Sequence, residues 1–177
     1  DVVRQAGILK ENSIAILRGE VPKTPQKDHS DHGAWYVIDQ HGDMESVQRF
    51  LLELFERGLS EKLGFDILRD VQLLTPTHKG PLGTVELNTR LQRLIQRKLW
   101  GQEIIPPEPG RRPKLYTNDK VIQIRNNYET GVMNGSMGIV RSAGADGSLV
   151  VEFEEKLVHI EAGSPHRNDI QLAYALT

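Results

Sequence analysis

The sequence predicts an α/β fold in which a small antiparallel β-barrel is inserted into a parallel-sheet domain. Three observations carry this reading. Strand-like and helix-like segments alternate up to Trp100, which implies parallel pairing. Pro106, Pro107, Pro109, Gly110 and Pro113 then interrupt any regular element, and the chain beyond them is a series of short β-rich runs. Residues 170–176 finally return to apolar strand character, so the barrel sits inside the first domain rather than after it.

The elements follow in order. Residues 8–18 carry Ile8, Leu9, Ile14, Ile16 and Leu17 and read as a short helix closed by Gly19. Residues 21–33 have loop composition. Aromatic and β-branched residues over 34–38 predict a strand, and Asp43 is placed to cap the next helix. In that helix Val47, Phe50, Leu51, Leu54 and Phe55 recur at i, i+3, i+4, i+7 and i+8, and it is expected to end near Gly58. Residues 71–75 read as a buried strand and 76–83 as a loop. Leu87, Leu91, Leu94 and Ile95 then form one face of a helix capped by Thr84.

Beyond a boundary at 101–113, strands are expected over 121–124, 138–140, 149–153 and 157–160. Asn134-Gly135 and Asp146-Gly147 supply the positive φ angles of tight hairpins. Closely spaced hairpins of this kind suit a small barrel. The domains expected are therefore 1–113, 114–163 for the barrel, and a return strand within 164–177. A start at Asp1 without Met and an apolar run at the C-terminus are expected of a piece cut from a longer protein.

Composition excludes several classes. The 177 residues are 38% hydrophobic and 26% charged, which suits a folded chain. No run approaches the ~18 apolar residues of a membrane span, and a cytoplasmic location is expected. Without cysteine there are no disulfides or thiolate metal sites. A net charge of −2 means that any nucleic-acid contact must come from local patches.

Of the motifs that carry chemistry, the phosphate-binding Gly-x-x-x-x-Gly-Lys-Ser/Thr is absent, as are His-Glu-x-x-His and Gly-x-Ser-x-Gly. Asp28, His29, Asp31 and His32 have metal-ligand chemistry, but a solvated loop is favoured and no metal site is assigned. The loop of Thr75, Pro76, Thr77, His78, Lys79, Gly80 and Gly83 lies where a strand gives way to a helix, the place where α/β sheets present ligand sites. Its hydroxyls, imidazole, lysine and amides suit a phosphodiester; the alternative is that it merely shapes a turn. Arg90, Arg93, Arg97 and Lys98 on the next helix, with Arg111, Arg112 and Lys114 following in the linker, read as a solvated face ahead of a phosphate track.

In this order, several pieces together resemble the C-terminal half of RecD-like DNA helicases of superfamily one. They are Val3 to Ala6; Leu73 to Pro76 with Lys79 to Gly83, Leu87 and Asn88; Asn118 to Tyr128; Val132 to Val140; and Leu172 to Thr177. The resemblance implies a second RecA-like domain carrying an inserted SH3-like barrel. It implies an ATP-dependent motor that moves on single-stranded DNA, with ATP and Mg2+ bound by the intact parent and none by this chain alone. Partners implied are single-stranded DNA, the first RecA-like domain, and nuclease or helicase subunits of a repair complex.

By the same resemblance Arg4 is the catalytic arginine that approaches the γ-phosphate, and Gln5 supports it. Thr75, Pro76, Thr77, His78, Lys79, Gly80, Gly83, Asn88 and Thr177 belong to the single-strand path. Lys120, Arg125 and Tyr128 supply the barrel's cations and stacking surface, unless Tyr128 packs against its hairpin. A different class remains beside this one: a non-enzymatic nucleic-acid or protein adaptor on an inactive motor-like domain. A third is a hydrolase using the His-rich loop.

Overall fold

The structure, a computed structural model, describes residues 8–20, 36–108, 110–154 and 156–177. By compactness the chain divides into two units, Asp1–Gly42 and Asp43–Thr177. In the first, helix α1 (Ile8–Leu17) ends as expected, where Gly19 takes φ +76° and its amide donates to the Ile16 carbonyl at 2.9 Å. The strand expected over 34–38 is not found in its described part, since residues 36–42 form neither helix nor strand. The loop over 21–33 lies outside the described residues.

The second unit opens on α2 (Met44–Glu53). Asp43 is its N-cap, accepting the Ser46 amide at 2.8 Å. This contact, and a second from the Ser46 hydroxyl, hold the Asp43 carboxyl below its ordinary value. The helix does not stop at Gly58: it widens into a π-helical segment, Leu54–Lys62, whose last turn is closed by the Leu63 amide on the Gly58 carbonyl at 3.2 Å. The Leu54 side chain packs over Gly58, with its Cδ1 2.7 Å from where a Cβ would stand. Lys98 reaches across from the third helix to the Glu56 carbonyl, the Ser60 hydroxyl at 2.9 Å and Glu61 at 3.3 Å.

Strand β1 is two residues, Leu73–Leu74, rather than the five expected, and Leu74 is 70% exposed rather than buried. Helix α3 (Thr84–Trp100) is capped by Gly83, not Thr84, which is its first helical residue. The apolar face is as the periodicity predicts: Leu87, Leu91 and Ile95 are fully buried. Gly101 at φ +64° ends the helix.

Strands β2 (Lys120–Gln123), β3 (Met137–Ala143), β4 (Leu149–Phe153), β5 (Lys156–Ile160) and β6 (Ile170–Leu172) form one antiparallel sheet in the order β5-β4-β3-β2-β6. The barrel expected here is open: β5 and β6 are edges that do not pair with each other. Two features account for the shape. A bulge at Arg141 shifts the β3–β4 register between Val140 and Ser142 and bends the sheet. Strand β6 pairs with β2 over just three residues before the chain leaves the sheet.

It leaves at Ala173 and Tyr174, both buried, and continues as β7 (Ala175–Leu176), which runs parallel to β1 in the register Leu73↔Ala175 and Leu74↔Leu176. The apolar run over 170–176 thus serves two sheets, one antiparallel and one parallel. The parallel sheet has two strands among the described residues, fewer than the alternation of elements predicts.

The Gly-containing pairs sit in longer turns than expected. Gly147 (φ +95°) closes a Gly144–Gly147 turn by donating to the Gly144 carbonyl at 3.0 Å. Gly135 (φ +90°) belongs to a long β2–β3 connection that also holds the Asn127↔Val132 bridge. One apolar core runs through the unit, from Phe55, Leu59, Leu91 and Ile95 in the helices to Val121, Val140, Val151 and Phe153 in the sheet. Each such side chain contributes about 2 kcal/mol on burial. A surface ion pair such as Glu86–Arg90 contributes below about 1 kcal/mol.

Candidate nucleic-acid interface

The two parallel strands end side by side. The Thr75 amide donates to the Leu176 carbonyl at 2.9 Å, so the loop leaving β1 and the residue leaving β7, Thr177, lie at the same edge of the small sheet. The structure therefore brings together the loop Thr75, Pro76, Thr77, His78, Lys79, Gly80 and Gly83 with Asn88 and Thr177.

Within that group the side chains divide. The buried Thr75 hydroxyl donates to the Leu82 carbonyl at 2.5 Å and closes the loop from inside. Gly83 is required by close approach: a Cβ would meet the His78 carbonyl carbon and oxygen at 2.6 Å. Asn88 is buried, with its amide donating to the Ala175 carbonyl at 2.8 Å and its oxygen accepting the Ala175 amide at 2.9 Å. That pair continues the ladder of β7 onto α3. Gln48, also buried, donates to the Pro81 carbonyl. These groups build the loop.

Pro76, Thr77, His78, Lys79, Gly80 and Thr177 face solvent. The Thr77 carbonyl accepts the Thr84 amide at 3.0 Å, and the His78 imidazole Nδ1 lies 3.1 Å from the Thr84 hydroxyl, which orients the ring at the start of α3. Among the described residues no ion pair engages Lys79. Of the cations further along α3, Arg90 pairs with Glu86 at 2.5 Å, Arg97 with Glu56 at 3.5 Å and Lys98 with Glu61 at 3.3 Å, while among the described residues no ion pair engages Arg93.

On the antiparallel sheet, Lys120 is buried and its ammonium donates to the Val71 carbonyl at 2.7 Å; burial holds it below its ordinary lysine value. Arg125 and Tyr128 behave differently. They stand on the β2–β3 connection, Arg125 exposed at 3.8 Å from Asp169 and Tyr128 at 79% exposure with its hydroxyl accepting from Asn126 at 3.2 Å. Tyr128 thus presents a ring face to solvent rather than packing down. Arg4 and Gln5 lie outside the described residues.

Behind these surfaces is a polar knot that the sequence reading missed. Asp119 is fully buried, and four donors converge on its carboxylate: Gln92 at 2.5 Å, Gln96 at 2.9 Å, the Tyr116 amide at 2.8 Å and the Tyr174 hydroxyl at 3.0 Å. Burial pushes the carboxyl up against these bonds, and burial next to Asp119 pushes the Tyr174 phenol well up. The knot ties α3, the entry to β2 and the crossing between the two sheets to one carboxylate. Its signal was in the sequence, as Asn88, Gln92 and Gln96 place an amide stripe at four-residue spacing beside Leu87, Leu91 and Ile95.

Residues 87–153, from inside α3 to the end of β4, match the family model for the SH3 domain of ATP-dependent RecD-like DNA helicases. This chain is related to the RecD-like DNA helicases. The ATP-dependent RecD2 DNA helicase of Deinococcus radiodurans is 37% identical to it over 109 residues, which are 60% of this chain and 14% of that protein's length. The chain therefore spans a small part of that relative. Its matched segment contains the Asp119 knot except for Tyr174, and the β2–β3 connection with Arg125 and Tyr128. Among the described residues no helix is long and apolar enough to cross a membrane.

Proposed function

We propose that this chain is part of an ATP-dependent DNA helicase motor, holding single-stranded DNA on a second RecA-like domain and guiding it with the SH3-like sheet. The observation that carries the reading is the joint C-terminal end of β1 and β7, where Thr75 and Leu176 are hydrogen-bonded and the exposed loop with His78 and Lys79 opens. Ligands of parallel sheets bind at this end. The exposed Lys79 ammonium offers a contact to phosphate, while Tyr128 and Arg125 offer a stacking face and a cation on the sheet.

ATP and Mg2+ belong to the intact protein in this reading. The sequence has no phosphate-cradling Gly-Lys-Ser/Thr loop, so no step of phosphoryl transfer is assigned to this chain alone. Arg4, with Gln5 beside it, would supply charge to the γ-phosphate from this side of a domain cleft. The first RecA-like domain, and nuclease or helicase subunits, would be its partners.

DNA-stimulated ATP hydrolysis tests the reading, measured for this chain and for a longer polypeptide that adds a phosphate-binding domain. Activity confined to the longer protein, and lost on Arg4→Ala, supports it. Activity in neither favours a non-enzymatic nucleic-acid adaptor, and activity in this chain alone overturns both.

A further inference from the structure

Three clefts of the second unit differ in the sign of the charge lining them. One, between residues 68–72 and the face of β2 and β3, mixes Arg69, Lys120 and Arg141 with Asp70, Glu152 and Glu154. A second, beside α2, mixes Lys79 and Arg90 with Glu45 and Glu86. The third, about 670 Å³ between the start of α3, the linker after Gly110 and β6, is lined by Arg111, Arg112 and Arg167 and by no carboxylate.

Two of these arginines are held in place by neutral groups. Arg112 donates through Nη1 to the Asn168 carbonyl at 2.9 Å, and Arg167 through Nε to the Gly147 carbonyl at 2.8 Å. Among the described residues neither has an ion-pair partner, whereas Arg111 is engaged by Glu108 at 2.9 Å. Arg167 is half-buried, and burial draws it below its ordinary value without a nearby carboxylate to compensate. A guanidinium tethered at one nitrogen keeps its remaining N–H groups in a rigid fork, a geometry that matches phosphate oxygens. Apolar Leu115, Ile170 and Leu172 complete the walls, and Gln171 adds an amide.

We propose that this cleft is a phosphate-binding subsite in which Arg112 and Arg167 grip one phosphate of a nucleotide, with the apolar wall taking the adjoining sugar or base. The phosphate has two chemical sources, a polynucleotide backbone and a free nucleotide. The polynucleotide source rests on the DNA-binding reading above; the anion chemistry of the cleft does not.

The test uses the full chain and two probes, a fluorescein-labelled oligothymidylate and thymidine monophosphate. Binding is followed by anisotropy for the first and by amide NMR shifts at Gly147, Asn168 and Gln171 for both. The variants are Arg112→Gln with Arg167→Gln, the charge-preserving Arg112→Lys with Arg167→Lys, and Lys79→Ala. The glutamine pair is expected to weaken oligonucleotide binding at least about ten-fold. It should also flatten the salt dependence, by about 0.7 in logarithmic slope for each phosphate no longer neutralised. The lysine pair should keep the salt dependence while losing affinity, because it retains charge without the fork; it decides the matter if the glutamine pair fails to fold.

Weaker oligonucleotide binding in the glutamine pair, together with wild-type shifts at the three amides, supports the polynucleotide source. Weaker binding of thymidine monophosphate, when the wild type ignores the oligonucleotide, supports the subsite and overturns the DNA-binding reading. Unchanged binding in the arginine variants, with Lys79→Ala weakened, overturns the subsite and leaves that reading standing. Silent amides with both probes also overturn it.

Discussion

Asp119 and Lys79 are both charged residues of the same compact unit, yet the structure uses them in opposite ways. Asp119 is fully buried with four donors on its two oxygens, while Lys79 stands in solvent on a loop whose shape is set by other residues. The same division runs through the polar positions singled out from the sequence. Thr75, Gly83, Asn88 and Lys120 are committed to carbonyls, amides or close approach inside the protein. His78, Lys79, Arg125 and Tyr128 keep their outward faces. The first set shapes the loop; in the proposed function the second would be what touches a strand of nucleic acid.

The largest effect is expected at the knot. Asp119→Ala would leave the Tyr174 hydroxyl and one N–H each of Gln92 and Gln96 without an acceptor, although the two amides keep their bonds to the Lys114 and Thr117 carbonyls; at about 1–3 kcal/mol for each buried donor, a loss of about 3 kcal/mol or more should appear in urea denaturation. A loss below about 1 kcal/mol would mean that the knot relaxes or fills with water. The pH dependence has a definite sign. Because burial raises the folded-state carboxyl above its ordinary value of 3.8, the folded state holds that proton more tightly than the unfolded chain. Stability from this group is complete below 3.8 and is lost as pH rises through the raised folded value. Stability measured against pH in wild type and Asp119→Asn should differ in that window, with the wild type falling more steeply.

Next in size are the loop-building residues. Asn88→Ala removes both hydrogen bonds to Ala175 and should cost about 2 kcal/mol. Gly83→Ala forces a Cβ against the His78 carbonyl and should cost about 1–3 kcal/mol. Each should also weaken single-stranded DNA binding by displacing the loop, and a variant that loses stability but not affinity would separate scaffold from site. Smaller still, Lys79→Ala and Tyr128→Ala should leave the stability within about 0.5 kcal/mol of wild type. Tyr128→Ala should lower affinity for single-stranded DNA by the equivalent of about 1–3 kcal/mol of stacking. The smallest effect is expected at Arg97→Ala, where an exposed pair to Glu56 is broken and the change should stay within about 0.5 kcal/mol.

How far the sequence revealed this arrangement depended on the range of the interaction. Local signals were legible: the Asp43 cap, the face of α3, and the positive φ angles at Gly135 and Gly147. The face of α2 was not, since Gln48 is buried and Leu52 packs on the core, while Val47, Phe50 and Leu51 stay half-buried. The resemblance to RecD-like helicases was also legible in the ordered motifs, and the match over residues 87–153 agrees with it. Pairing partners were not. Nothing in the apolar run over 170–176 says that Ile170–Leu172 joins an antiparallel sheet and Ala175–Leu176 a parallel one, because apolar alternation reports burial and not the neighbour. The π-helical continuation past Gly58 is contacted by Lys98 of α3, distant in sequence, through the Glu56 carbonyl and Ser60. For the proposed site, residue chemistry singled out the loop, but separating the buried Asn88 and Lys120 from the exposed Lys79 and Tyr128 required tertiary contacts that composition does not encode.

The salt dependence of single-stranded DNA binding, compared between wild type and Lys79→Ala, tests the central claim most directly. If the strand-end loop grips phosphates, the logarithm of affinity falls linearly with the logarithm of salt, and Lys79→Ala reduces that slope by about 0.7, the share of a single phosphate. Binding that ignores salt, or a slope unchanged by Lys79→Ala, would contradict it.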